Sequence, residues 1–257
     1  MIRTIYTELL KLRRYSVITA GLAMTTLSVL MTLFYTMAQD GTVWTFAYYI
    51  HSIQSKNVQF FFPLILVLVG GFCITREESD DTLKSLLTVP VSYRRLLAAK
   101  AAALLLLTGL FSLFCAAFAV AVNLLCRFPG MTPGAVVQAT LTLLATNLLV
   151  YLAVCPLLFT LAAHRSTFLF SLPLAFVYGY LATFEGNPLN VVPTKACLIL
   201  TDPLCGEGFP YIYTPGRAAA SLAVCGALGL AALLLHHSDG PEESARRPET
   251  PSRKKGW

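Results

Sequence analysis

Glu77, Glu78, Asp80 and Asp81, with Lys84 just beyond them, form the one acidic cluster that sits between apolar segments of this 257-residue chain. Grouped carboxylates suit a divalent metal or acid–base work, and a membrane-embedded lipid-modifying enzyme would need such a group. A metal-binding DxxxD pattern with a second acidic motif is missing, however. The four histidines add no ligand spacing, since His236 and His237 are adjacent and His51 and His164 are isolated. There is no GxxxxGK[ST] phosphate loop, no nucleophile elbow and no HExxH helix. The chain is therefore expected to be no enzyme, to hold no metal and to bind no cofactor itself. Any energy it uses must come from another subunit. Among the seven cysteines, Cys73, Cys115, Cys155 and Cys225 fall in apolar runs and read as small apolar side chains. Cys126 lies near the end of the third run. Cys197 and Cys205 share a longer polar segment, where an oxidising exterior permits either a disulfide or two free thiols.

The elements around the acidic cluster set its meaning. Hydrophobic residues are 56% of the chain and charged residues 12%, against ~25% charged in soluble domains. Six apolar runs, near 16–38, 58–75, 97–125, 136–163, 167–184 and 218–235, approach the ~17–25 residues that a spanning helix needs. Lipid offers the backbone no hydrogen bonds, so each run must be helical. The expected fold is all-α and integral to the membrane: one membrane domain over 1–237 with six transmembrane helices. A disordered tail follows over 238–257, rich in Pro, Glu, Ser, Arg and Lys. Lys and Arg fall mostly on the side that holds both termini and the 75–100 loop; only Lys56, Arg127, Lys195 and Arg217 fall on the other. Excess Lys and Arg mark the cytoplasmic side, which places both termini there in a multi-pass protein of the cell membrane. No soluble stretch is long enough to make a folded basic surface, so nucleic acid is not an expected partner.

Three smaller elements stand out. In residues 1–15, Ile2, Ile5, Leu9 and Leu12 share a helical face while Arg3, Glu8, Lys11, Arg13 and Arg14 point elsewhere or flank it. Such a helix lies in the membrane interface as an elbow before the first span. In the 75–100 loop, Ser79, Asp80 or Asp81 caps a short helix whose apolar face is Leu83, Leu86 and Leu87. Pro90 ends it, and Ser92 caps the next helix. This loop reads either as a helix gripped by a soluble partner or as a solvated connector. The proline-broken 185–216 segment is too apolar around Ala196–Leu200 for a free loop, and fits short interfacial or re-entrant outer helices.

Charged side chains are nearly absent from the expected spans. Asn123, Gln138 and Asn147 are the buried polar candidates, either packing between helices or lining a pathway. In the last span, Ala219, Ala223, Ala227 and Ala231 form a stripe of small residues expected to pack closely, within the subunit or against a second membrane half. Leu222 is expected to face outward.

The order of elbow helix, two spans, charged loop helix and four further spans resembles the type-2 ABC exporter permeases. Glu78-x-x-x-Thr82-Leu83-Lys84-x-Leu86-Leu87-x-x-Pro90-Val91-Ser92-x-x-x-Leu96-Leu97-x-x-Lys100 is similar to that family's loop between spans two and three, although Asp81 stands where many relatives carry Gly. Glu8-Leu9-Leu10-Lys11-Leu12-Arg13-Arg14 is similar to its elbow, and the size resembles the short permeases of bacitracin and lantibiotic-immunity exporters. The resemblance implies a partner, a cytoplasmic ABC ATP-binding subunit that carries ATP and Mg. It also implies a second permease subunit, identical or different, within the lipid bilayer. Leu83, Leu86 and Leu87 would then fill a groove on the ATPase, and Glu77, Glu78, Asp80, Asp81 and Lys84 would orient the contact. The scarcity of charge favours an amphipathic or lipid-like cargo such as an antimicrobial peptide. A non-transport membrane adaptor or signalling subunit is the alternative from another class.

Overall fold

The structure, a computed structural model, describes residues 7, 8, 10, 16–38, 43–79, 93–162, 167–205 and 213–235. Lys11, Arg13, Arg14, Asp80, Asp81, Leu83, Lys84, Leu86, Leu87 and the 238–257 tail lie outside the described residues. Every described element is helical. In chain order they are α1 (Ser16–Thr36), α2 (Phe46–Lys56), a π-helical turn (Asn57–Phe61), α3 (Phe62–Ser79), α4 (Tyr93–Cys126) and α5 (Pro133–Leu157). A second π-helical turn (Leu158–Ala162) follows, then α6 (Phe168–Tyr180), two 3-10 turns (Leu181–Thr183 and Asn187–Val191), α7 (Pro193–Thr201) and α8 (Pro215–Leu235).

Five of these, by length and apolar composition, can cross a membrane: Ser16–Thr36, Phe46–Thr75, Leu96–Cys126, Pro133–Leu161 and Pro215–Leu235. Phe168–Thr183 is apolar but shorter. The second differs from the sequence expectation. Its helix starts at Phe46, twelve residues before the expected Val58, so 46–57 is continuous with the helix of the second span. Thr45 caps it, its hydroxyl accepting from the Tyr48 N–H at 3.3 Å. Phe46, Tyr49, Ile50 and Ile53 then bury against Val29, Ala119 and Leu143, a core that offsets the polar His51, Gln54 and Asn57 on the same helix. A larger core around Phe62, Ile65, Leu66, Leu97, Val154 and Leu158 lies toward the 80–92 loop.

Proline explains the first π-helical turn. Pro63 has no N–H for the Gln59 carbonyl four residues earlier, so the helix widens just there, and the Phe62 N–H reaches back to the Asn57 carbonyl instead. The second turn, Leu158–Ala162, begins two residues after Pro156 of α5. Gly179 of α6 packs on the first bulge: a Cβ there would lie 2.5 Å from the Gln59 carbonyl oxygen.

At the N-terminus, Glu8 is helical and 3% exposed whereas Leu10 is 44% exposed.

The last span is rotated from its expected setting. Ala219, Ala223, Ala227 and Ala231 are all exposed, so the stripe does not pack within the subunit. Ala218, Leu222 and Gly229 face inward instead, with Gly226 beside them; Leu222, expected to point out, is buried. The packing strip is selected by contact with α5. A Cβ on Gly229 would sit 2.6 Å from Cys155 Cβ, and one on Gly226 2.9 Å from a Leu152 methyl. Gly229→Leu should lower thermal stability by about 1–3 kcal/mol through overpacking, while Ala227→Leu should be close to neutral in the isolated subunit. Equal melting temperatures for the two variants would put the wrong face of α8 against α5.

Candidate functional site

Two regions concentrate function-bearing side chains, one at each end of the bundle. At the loop end, α3 continues through Arg76, Glu77, Glu78 and Ser79, past the expected end of span two at Thr75. Glu77 and Glu78 thus stand on the helix that leads into the loop, and Ser79 is its last residue. On the far side of the loop α4 begins at Tyr93, the position after Ser92. The two helices are tied below the loop by Lys100, which is buried and donates from Nζ to the Cys73 carbonyl at 2.7 Å. At the adjacent residue, the Tyr151 hydroxyl donates to the Ala101 carbonyl at 2.9 Å, joining α5 to the same base.

The opposite end holds a polar core that the sequence pattern concealed. Gln54 donates through Nε2 to the hydroxyls of Thr146 and Thr201, each at 2.8 Å. The two hydroxyls also lie 2.7 Å from each other, and each is within reach of a carbonyl of its own helix, Thr142 and Cys197, so the amide group joins α2, α5 and α7 at one point. One turn deeper, Asn57 accepts from Ser28 at 2.5 Å and donates toward the Cys115 sulfur at 3.5 Å. Asn147 donates to Ser112 at 2.9 Å, and its Oδ1 is buried without a partner. Of the three polar residues expected from sequence, Asn147 belongs here. Asn123 is buried elsewhere, with its amide on Met131 and its Oδ1 unpaired. Gln138 is exposed and is not a buried polar residue at all, because α5 turns that face outward near its start.

The short helix α7 closes this end. Thr194, Lys195, Ala196, Cys197 and Leu198 are all buried, which makes it an inserted helix rather than a surface one. Its carboxyl end is held by Thr201 and by Asp202, whose carboxylate contacts His51 Nδ1 and also accepts the Leu204 N–H at 3.0 Å. Its amino end is held by Lys195, which bonds to Glu185 at 2.5 Å and to the Ala182 carbonyl at 3.4 Å. Tyr213, just before α8, donates its hydroxyl to the same Glu185 carboxylate. Burial, together with that hydrogen bond, holds the Tyr213 phenol above its usual range.

Cys197 and Cys205 are free thiols in the structure. The Cys197 sulfur donates to the Pro193 carbonyl of its own helix at 3.2 Å, and burial raises its pKa. Burial also pushes the Cys205 thiol up to about 11, with Lys195 pulling it down and Asp202 and Glu185 pushing it up. Neither sulfur is a ready thiolate at neutral pH. Among the described residues no three His, Cys, Asp or Glu side chains are placed to hold a metal ion.

His51, Gln54 and Asn57 recur at helical spacing, a signal present in the sequence but hidden when the second span is placed near 58–75. Lys195, Glu185 and Tyr213 carry no local signal, because their meeting depends on how three separate segments return to one place.

A bacitracin transport permease protein of Bacillus licheniformis is 25% identical over 178 residues, covering 66% of this chain and 80% of that protein. The sequence model of the ABC-2 family transporter proteins matches residues 4–182, which takes in the loop between α3 and α4, and the chain belongs to that family.

Proposed function

We propose that this chain is the membrane-spanning permease subunit of an ATP-driven exporter for an amphipathic substrate such as an antimicrobial peptide. Membership of the ABC-2 family implies association with an ABC ATP-binding subunit. The observation that carries the reading is the family match across the α3–α4 junction, where the acidic cluster and Leu83, Leu86 and Leu87 lie. In this reading Phe168–Thr183 also crosses, as the fifth of six spans, and both termini and the loop are cytoplasmic. ATP and Mg reside on the partner, and two membrane halves, identical or different, complete the transporter. Leu83, Leu86 and Leu87 enter a groove of the ATPase while Glu77, Glu78, Asp80, Asp81 and Lys84 orient them. Lys100 and Tyr151 pass the motion to α3, α4 and α5. The bacitracin permease relative supports the choice of a membrane-active peptide as cargo.

Leu83→Asp or Leu86→Asp should insert normally but lose the ATPase in a pull-down and lose substrate-linked ATP turnover. A carboxylate buried without a partner costs several kcal/mol. Wild-type capture and turnover in both variants would overturn the coupling role. A reporter cysteine at Ser79, in a cysteine-free background, should be shielded from an impermeant thiol reagent in intact cells, and labelling there would reverse the orientation.

A further inference from the structure

Lys56, in the last turn of α2, takes no part in the polar core. Its ammonium lies 4.7 Å from the Tyr35 ring centroid and 6.0 Å from that of Phe60. Among the described residues no carboxylate pairs with it; the acids near this end, Glu185 and Asp202, are engaged by Lys195 and His51. From Phe60 a row of rings runs along α6. Phe60 packs against Phe176 at 5.6 Å and Tyr180 at 5.9 Å, and Tyr180 against Phe184 at 5.5 Å. Tyr35, Phe176, Tyr180 and Phe184 are between 41% and 51% exposed, so the row is a surface shelf with a cation at its edge that no described carboxylate pairs.

Its depth is set by the helix itself. Lys56 precedes Cys73, the carbonyl gripped by Lys100, by seventeen residues. At helical rise that is about 25 Å, near the ~30 Å thickness of the hydrocarbon layer. The side chain reaches Tyr35, next to the last residue of α1, and so places its charge at the boundary where tyrosine rings and headgroups meet. A cation there, paired with no described acid, complements a phosphate, and the rings offer an apolar wall to an acyl chain.

We propose that Lys56 and the ring row from Phe60 to Phe184 form a binding site for an anionic phospholipid, with its phosphate on Lys56 and its upper acyl chain along the shelf. That the lipid belongs to the outer leaflet rests on the orientation proposed above; the site itself does not.

The test uses the full-length protein, delipidated in detergent, with phosphatidylglycerol or phosphatidylcholine added and bound lipid counted by native mass spectrometry. Phosphatidylglycerol should be retained in preference to phosphatidylcholine. Lys56→Gln should weaken its retention about fivefold, Lys56→Arg should keep it, and Arg217→Gln, which removes an exposed cation elsewhere, should not change it. Tyr180→Ala should weaken retention without loss of the unliganded melting temperature, which keeps the test decisive should Lys56→Gln fold poorly. Unchanged retention in both Lys56→Gln and Tyr180→Ala would overturn the site and leave Lys56 as a lysine that merely snorkels to the interface. Equal retention of the two lipids would also overturn it. Displacement of the lipid by millimolar inorganic phosphate would show that the anion alone is the ligand and would end the lipid assignment. ATPase capture, measured separately, fails or succeeds independently of all these outcomes.

Discussion

Gly179→Ala should sharply destabilise the bundle, even though it adds a single methyl group to an apolar helix. The new Cβ would lie 2.5 Å from the Gln59 carbonyl oxygen, 3.1 Å from its carbon and 3.0 Å from Pro63 Cγ. Two of those atoms are backbone and the third belongs to a rigid ring, so no side chain can turn aside. The carbonyl is itself fixed, because Pro63 cannot take it into an ordinary helical bond and the chain has already widened to relieve the clash. Relief must come from moving α6 as a whole or from closing the bulge. Either shift drags Asn57 off Ser28 and Cys115 at the start of the same turn. Overpacking in cores usually costs about 1–3 kcal/mol, and with backbone on the opposing side this case belongs at the upper end. Gly134→Ala is the control: a Cβ added there would meet no atom within 4 Å, and alanine favours the helix. Thermal unfolding of the two purified variants checks the prediction. A Gly179→Ala protein as stable as Gly134→Ala would mean that α6 does not rest on the bulge.

The same residues show how far sequence carries. Composition settles the class, since the ~17–25-residue requirement for spanning leaves few readings of so apolar a chain. Loop punctuation by Ser92 and Pro133 locates the starts of α4 and α5 to within a few residues, because caps and proline act locally. The start of the second helix escapes the pattern for a non-local reason. His51, Gln54 and Lys56 look like solvent-facing residues until Thr146, Thr201, Asp202 and the Tyr35 ring arrive to meet them. The alanine stripe of α8 misleads for a related reason. Spacing identifies a smooth face but not which neighbour takes it, and the glycine strip beside it fits α5 more closely. The acidic cluster and its leucines are readable as a motif of the family to which the chain belongs, whereas their contacts depend on a partner chain.

Glu185→Ala should be the most damaging change at the closed end, and its rescue should be unusual. Lys195 has a side chain 3% exposed, and beyond Glu185 it bonds to the Ala182 carbonyl at a long 3.4 Å. Removing the carboxylate leaves a buried ammonium with little compensation, and breaking such a pair from one side costs about 3–5 kcal/mol. Glu185 is 20% exposed, so water reaching the site puts the expected loss toward the lower value. Tyr213 loses its acceptor in the same step. Glu185→Leu with Lys195→Met removes both charges and fills similar volume, so the double variant should be more stable than Glu185→Ala alone. The local consequence is separable from the global one. Lys195 pins the amino end of α7, so its release should expose Cys197, which is fully buried between that pin and the Thr201–Gln54 contact. In a background where Cys197 is the sole cysteine, Glu185→Ala should make it reactive to a thiol reagent at temperatures well below unfolding, and the double variant should protect it again. Strictly additive losses for Glu185→Leu and Lys195→Met, measured singly and together, with Cys197 equally shielded throughout, would show that the ion pair does not hold α7 and that its apolar contacts with α5 and α8 suffice.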